Sequence, residues 1–87
     1  MNNEILKNEN FDKFYNLDLI YLQFSKSVQF EILIDILKDK SLNYENTKKI
    51  FDYFSSKSKF SIFSRFDLWL HKSIYLDDKL NKQKNAN

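Results

Sequence analysis

The chain of 87 residues contains no glycine and no proline. Tight β-hairpins depend on residues that tolerate positive φ, glycine above all, so a glycine-free chain has few ways to turn strands sharply. Helices need neither residue, because they can begin on Ser, Thr, Asp or Asn caps, which are plentiful here. The two absences therefore predict an all-α fold.

Cysteine is also absent, which excludes disulfides, thiol catalysis and thiolate metal sites. Phosphate-binding loops of the Walker and dinucleotide types need glycine and are excluded as well. The only histidine, His71, follows Asp67 by four residues, but one histidine and scattered carboxylates fall short of the ligand set that zinc requires. The adjacent Asp77 and Asp78 point to different sides of a helix and make a poor acid–base pair. We therefore expect no enzyme, no metal and no cofactor.

Long hydrophobic runs are missing too. No window approaches the roughly 18 apolar residues of a membrane span, and the sequence from Met1 to Glu4 lacks the basic and then apolar design of a secretory signal. Hydrophobic residues make up 43% of the chain and charged residues 30%, a composition typical of globular proteins. We expect one cytoplasmic domain over residues 1–87, with loosely ordered tails at 1–10 and 81–87.

Between the tails, apolar residues recur at helical spacing in four segments, which predicts a small bundle of about four helices. The first segment is apolar nearly all round a helical wheel, so we expect it to be deeply packed. The third is the cleanest amphipathic helix. The segments are approximately Phe11 to Phe24, Ser27 to Lys38, Asn43 to Ser55 and Lys59 to Leu80.

The main structural alternative is an α+β fold. Residues from Leu17 to Phe24 and from Lys59 to Phe63 are rich in aromatic and β-branched side chains, which favour strands. A helix-turn-helix formed by the second and third segments is a further alternative, although the connection between them is longer than the usual turn and lacks glycine.

The fourth segment has more apolar surface than a small core requires. On a helical wheel its large apolar side chains cover an arc of roughly 200°, twice the minimum width of a core-facing stripe. Arg65, Lys72 and Lys79 recur every seven residues on the other side, so they form one line with roughly 10 Å between neighbours. This segment therefore combines a broad aromatic face with a basic line.

Basic residues are concentrated in the second half of the chain. Residues 1–44 contain 5 Lys against 7 acids, whereas residues 45–87 contain 9 Lys and Arg against 5 acids. Basic residues interleaved with aromatic ones are typical of surfaces that contact nucleic acid. Lysine outnumbers arginine 13 to 1, which indicates a low-GC genome, so part of the pattern reflects codon usage. The candidate nucleic-acid contacts are Lys48, Lys49, Lys57 and Lys59.

The surplus apolar face favours a protein partner, because interfaces are enriched in Trp, Tyr and Phe anchors. We therefore predict a protein-binding adaptor, inhibitor or regulator from a low-GC bacterium, a phage or a mobile element. Its partner is a second copy or another protein with an acidic surface, and the alternative is a nucleic-acid-binding regulator. A membrane-surface helix is a weaker alternative. The predicted partner-binding residues are Phe63, Arg65, Phe66, Trp69, Leu70, Lys72 and Lys79.

Overall fold

The computed structural model describes residues 9–85, with side chains from residue 12 onward. Four α-helices form the bundle: α1 (Tyr15–Ile20), α2 (Lys26–Lys38), α3 (Tyr44–Lys57) and α4 (Ile62–Asn85), with 3₁₀ turns at Glu9–Phe14 and Tyr21–Gln23 on either side of α1. Residues 9–85 contain no strand, so the all-α prediction is confirmed and the α+β alternative is wrong. No helix in this range is long and apolar enough to cross a membrane.

Side-chain caps begin the three longer helices, as the wealth of Ser and Asn predicts. The Ser25 hydroxyl accepts a hydrogen bond from the Val28 amide at 3.3 Å, and the Asn43 side-chain oxygen accepts one from the Asn46 amide at 2.8 Å. The Ser61 hydroxyl accepts from the Ser64 amide at 3.2 Å. Each cap lies one residue before the first residue of its helix. The observed starts of α2 and α3 differ from the predicted starts by one residue.

The core lies where α2, α3 and α4 pack against one another, with the first 3₁₀ turn against α3. Aromatic and branched aliphatic side chains fill it, and the Tyr21 and Phe54 rings pack at a tilt with their centres 5.0 Å apart. No alanine or glycine lines these helices, so large side chains occupy the interhelical gaps. The fully buried hydrophobic residues are Tyr21, Leu33, Leu37, Ile50 and Phe54.

Buried polar groups fasten the N-terminal segment to the bundle. The hydroxyl groups of Tyr21 and Ser58 share a hydrogen bond of 2.6 Å. The side-chain amide of Gln29 donates to the backbone oxygens of Tyr21 and Phe24, at 3.1 and 3.2 Å. Burial raises the pKa of Tyr21, against the smaller opposing effects of Ser58 and Lys57. The Tyr21 oxygen also accepts from the Phe24 amide at 3.2 Å, so Gln29 adds a second donor to it and supplies one to the Phe24 oxygen where the 3₁₀ turn ends.

Two expectations about the ends of the chain need correction. The segment from Phe11 to Phe24 is not one deeply packed helix: α1 has only six residues, and the 3₁₀ turns on either side change its periodicity, so its apolar side chains scatter. Tyr15, Leu19 and Leu22 are consequently exposed. At the other end, α4 continues to Asn85, so residues 81–85 are helical and not a loose tail. Residues 1–8 and 86–87 lie outside the described range.

Candidate functional site

The last helix, α4, packs its less apolar side against the bundle. Leu68 and Leu76 are buried in the core and Tyr75 packs against it. The polar residues on the same side of α4 recur at spacings of three and four and are only half-buried. We call this side the packed face. It consists of Ser64, Leu68, His71, Lys72, Tyr75, Leu76 and Lys79.

The opposite side of α4 holds large apolar residues, and all of them are exposed. Phe63 is the most exposed at 81%, and Phe66 and Trp69 are each exposed at 64%. A globular helix normally buries its apolar stripe and presents its polar stripe to water, so α4 is inverted. We call this stripe the outer face. It consists of Ile62, Phe63, Phe66, Trp69, Leu70 and Ile74.

Hydrogen bonds of the packed face hold α4 in this rotational setting. The Lys79 ammonium donates to the backbone oxygens of Asp39 and Leu42 at 2.6 and 2.8 Å. The Lys72 ammonium donates to a carboxylate oxygen of Asp52 at 2.8 Å and lies 5.7 Å from the centre of the Phe51 ring. These bonds would be lost if α4 rotated to bury the outer face.

Burial of the Lys79 side chain lowers the pKa of its ammonium, and nearby Lys82 lowers it further. The carboxylates of Asp39 and Asp78 act in the opposite direction without reversing the shift. An ammonium placed in a partly desolvated position needs acceptors, and the two backbone oxygens supply them. Lys79 is therefore part of the fold's own hydrogen-bond network.

A surface depression lies within the outer face. It has a volume of about 360 Å³ and is lined by Ile62, Arg65, Phe66 and Trp69. The Arg65 guanidinium borders it and donates through Nε to the backbone oxygen of Phe60 at 3.2 Å. Such a depression can accept one apolar side chain from a partner, and Arg65 can cover that side chain with its aliphatic stem.

The predicted partner-binding residues separate into two groups. Phe63, Phe66, Trp69 and Leu70 lie together on the outer face and are exposed, and Arg65 lies at its edge. Lys72 and Lys79 lie on the packed face, where they bond to Asp52 and to backbone oxygens. Arg65, Lys72 and Lys79 therefore do form one line along α4, but Asp52 neutralises Lys72 and backbone oxygens hold Lys79, so they do not form a rim of free positive charge around the aromatic face.

The predicted nucleic-acid contacts are not gathered on one surface. Lys48 and Lys49 are exposed on α3, and Lys59 is exposed before α4. Lys57 instead forms an ion pair with the carboxylate of Asp18. Nucleic-acid binding by these lysines stays a prediction.

Asp18 joins α1 to α3 through two partners. Its carboxylate accepts a hydrogen bond from the Tyr53 hydroxyl at 2.6 Å as well as from Lys57. Burial and the Asp18 carboxylate raise the pKa of Tyr53. Burial also opposes the charge of Lys57, but Asp18 and Tyr53 outweigh it and raise the pKa of that ammonium. The cluster pairs each charge with an opposite charge or a hydrogen bond, as a structural network does.

His71 and Asp67 are neighbours on α4, as their spacing predicts, at 3.4 Å between Nδ1 and a carboxylate oxygen. The His71 ring also stacks on Tyr75 and meets the edge of Phe30. Residues 12–85 bring no three His, Asp or Glu side chains close enough to hold a metal ion. The pair therefore packs α4 on α2.

A wider groove at the C-terminal end of the bundle, with a volume of about 690 Å³, is lined by Lys38, Lys40, Lys79 and Lys82 among others. Most of these lysines have partners. Lys79 bonds to backbone oxygens, Lys82 pairs with Asp78 at 3.0 Å, and Lys38 lies 5.9 Å from the centre of the Tyr75 ring. Ring and backbone contacts position Lys38 and Lys79 without neutralising them, so the groove remains basic.

Sequence reasoning missed two members of the outer face. Ile62 and Ile74 belong to the broad apolar arc of the fourth segment, but nothing in a helical wheel tells which part of such an arc the core takes. Leu68 lies outside the arc and is buried. Its position on the wheel is the signal that could have distinguished the core-facing side of the helix from the exposed side. Comparison with protein-family models, with curated proteins and with solved structures finds no match to this chain.

Proposed function

We propose that this protein is a small protein-binding module, without a catalytic centre, that docks through the outer face of α4. Adaptor, inhibitor and regulator are the roles that such a module serves. The observation that carries the proposal is the inversion of α4, which packs a stripe containing Ser, His and Lys against the bundle and leaves six large apolar side chains in water.

The extent of the outer face supports docking. At their exposed fractions the six side chains present an apolar surface on the order of 800 Å². The largest apolar patch on an ordinary monomer is about 300 to 600 Å², and larger patches mark interaction sites. Three of the six residues are aromatic, including the single tryptophan of the chain. Aromatic anchors of this kind contribute most of the binding energy at protein interfaces.

A capture experiment with matched variants tests the proposal. Tagged wild-type protein, Phe66→Glu and Leu22→Glu would each be expressed in the native host beside an untagged copy of the same variant. Phe66 and Leu22 are both exposed at 64%, so the two substitutions place the same charge at equal exposure, one on α4 and one on the 3₁₀ turn Tyr21–Gln23. We expect wild type and Leu22→Glu to retain the same partner, whether a host protein or the untagged copy, and Phe66→Glu to lose it.

The proposal fails if Phe66→Glu retains everything that wild type retains. Circular dichroism of each variant checks that helicity is unchanged, since a substitution at an exposed helical position costs little stability. A variant that unfolds is replaced by Trp69→Gln, which removes an aromatic anchor from the same face without adding charge.

A further inference from the structure

The composition of the outer face identifies the kind of partner. We infer that its partner is a second copy of this chain, docked by the same face across a two-fold axis. This inference rests on the proposed function and adds the identity of the partner. The exposed side chains, the depression between them and the charges at the edges of the face carry it.

The outer face contains both a projecting side chain and a site that accepts one. Phe63 projects furthest into water, at 81% exposure. The depression of about 360 Å³ between Ile62, Phe66 and Trp69 can take an apolar side chain of that class. In a two-fold dimer each copy uses one surface patch, so projection and depression must both lie on that patch. The outer face meets this condition.

The charge at the border also favours an identical partner over an acidic one. An acidic partner requires a basic rim, but Asp52 neutralises Lys72 and two backbone oxygens hold Lys79. On a helical wheel, charges of both signs border the face: Arg65 and the Asp52-paired Lys72 along one edge, Asp67 along the other, and Asp77 one turn beyond Ile74. Bases of one copy can therefore approach acids of the other, and the net charge of +2 on each copy is small.

The area is sufficient for a dimer that depends on concentration. Each partner in a standard interface contributes about 800 Å², and the outer face presents an apolar surface on that order. The face runs over 13 residues of one helix, so roughly 20 Å of α4 is available for contact. Helix against helix is the geometry that such a narrow, straight stripe allows.

Position along the helix says which residues lie near the axis. A two-fold axis passes through the centre of its interface, so residues at the centre face their own copies. The outer face extends from Ile62 to Ile74, so its midpoint is at residue 68. Trp69 is closest to that midpoint but lies at the edge of the stripe, whereas Phe66 and Leu70, two residues to either side, lie near its centre line. These two should therefore lie close to the same residues of the second copy.

Light scattering against protein concentration tests the inference on the full chain. We expect the measured masses of wild type and Leu22→Glu to rise to twice the chain mass over the same range of protein concentration. Phe66→Glu should need a concentration about 30-fold higher or more to dimerise, because it loses a buried aromatic anchor. The lack of native cysteine adds an independent arm. Under mild oxidation Leu70→Cys should form a disulfide-linked dimer, whereas Leu22→Cys should stay largely single.

Three results would overturn the inference. The first is a wild-type protein that stays monomeric at all accessible concentrations, the second a dimer that Phe66→Glu leaves intact, and the third equal cross-linking at positions 70 and 22. A monomeric wild type that still captures a host protein, and loses it on Phe66→Glu, removes the second copy as partner and leaves the proposed function standing. The cross-link is scored on folded protein without a charge substitution, so it remains informative if Phe66→Glu fails to fold.

Discussion

Leu68 and Trp69 are adjacent on α4 and lie at opposite extremes of burial: Leu68 is 5% exposed in the core and Trp69 is 64% exposed. Successive residues on a helix are rotated by about 100°, so neighbours routinely differ in exposure. The unusual feature is that the larger, aromatic residue of the pair, Trp69, is the exposed one. A large aromatic side chain in water, beside a half-buried lysine on the packed face, indicates that the bundle alone does not use the most apolar side of its longest helix.

Lys79 should contribute to stability, whereas Arg65 should not, although both belong to the same basic line. Replacing Lys79 with Met removes the donor to the carbonyl groups of Asp39 and Leu42, and the loss should lower the free energy of unfolding by about 1 to 3 kcal/mol. The control Arg65→Met also removes a donor to a backbone oxygen, that of Phe60, but at an exposed position where water replaces the bond, so it should change the free energy of unfolding by less than about 0.5 kcal/mol.

Urea denaturation at one fixed protein concentration measures both variants, because association would otherwise shift the midpoint. Equal effects from Lys79→Met and Arg65→Met would show that the whole line is exposed, and would contradict the placement of Lys79 on the packed face.

Asp39 should make the fold sensitive to acid. Partial burial disfavours its charge, but hydrogen bonds from Lys13 and Ser41 outweigh burial and lower the pKa of Asp39 to about 2. A carboxyl group whose pKa is lower in the folded state stabilises the fold above its unfolded pKa, near 3.9, and this stabilisation is lost as pH falls to 2. Because the ion pair between Lys13 and Asp39 is largely exposed, we expect the Asp39 carboxylate to contribute only about 1 kcal/mol to the free energy of unfolding.

The comparison of wild type with Asp39→Asn at pH 7, 4 and 2 checks this window. The difference in unfolding free energy between them should be present at pH 7 and should shrink below pH 4. A difference that persists unchanged at pH 2 would mean that the charge of Asp39 does not matter.

The Tyr53 hydroxyl should connect α3 to α1 through Asp18. Phe in place of Tyr53 removes the donor at 2.6 Å from the Asp18 carboxylate and leaves the aromatic packing against Phe54. The free energy of unfolding should fall by somewhat more than about 1 kcal/mol, which is the usual net value of a hydrogen bond, because the acceptor is charged. The same change at the exposed Tyr15 serves as control and should have almost no effect by thermal or urea unfolding.

Much of the fold follows from sequence because its signals are local. The missing glycine and proline, the abundance of Ser, Thr, Asp and Asn caps and the helical spacing of apolar residues predict helices whose starts the structure reproduces within three residues. The six-residue α1 did not follow, because an all-round apolar segment carries no information on which side faces the core.

The rotational setting of α4 depends on contacts between distant residues. Lys79 reaches backbone oxygens 40 and 37 residues earlier in the chain, and no local pattern encodes that bond. A wheel of the fourth segment finds a surplus apolar arc but does not tell which part of it faces the core, and the structure buries Leu68, which lies outside that arc. The candidate face was therefore predictable as a set of residues, and its orientation was not.

Trp69 provides the most direct measurement of the central claim, that the outer face is a docking surface and not part of the core. It is the only tryptophan in the chain, so the tryptophan fluorescence and its quenching by acrylamide report on this one position of the outer face. Dilute protein should show a quenchable, water-exposed indole. As wild type and Leu22→Glu are concentrated, or as a captured partner is added, emission should shift to shorter wavelength and quenching should fall, whereas Phe66→Glu should stay quenchable. A shielded Trp69 in dilute, monomeric protein, or one that stays exposed under every condition, would contradict the claim.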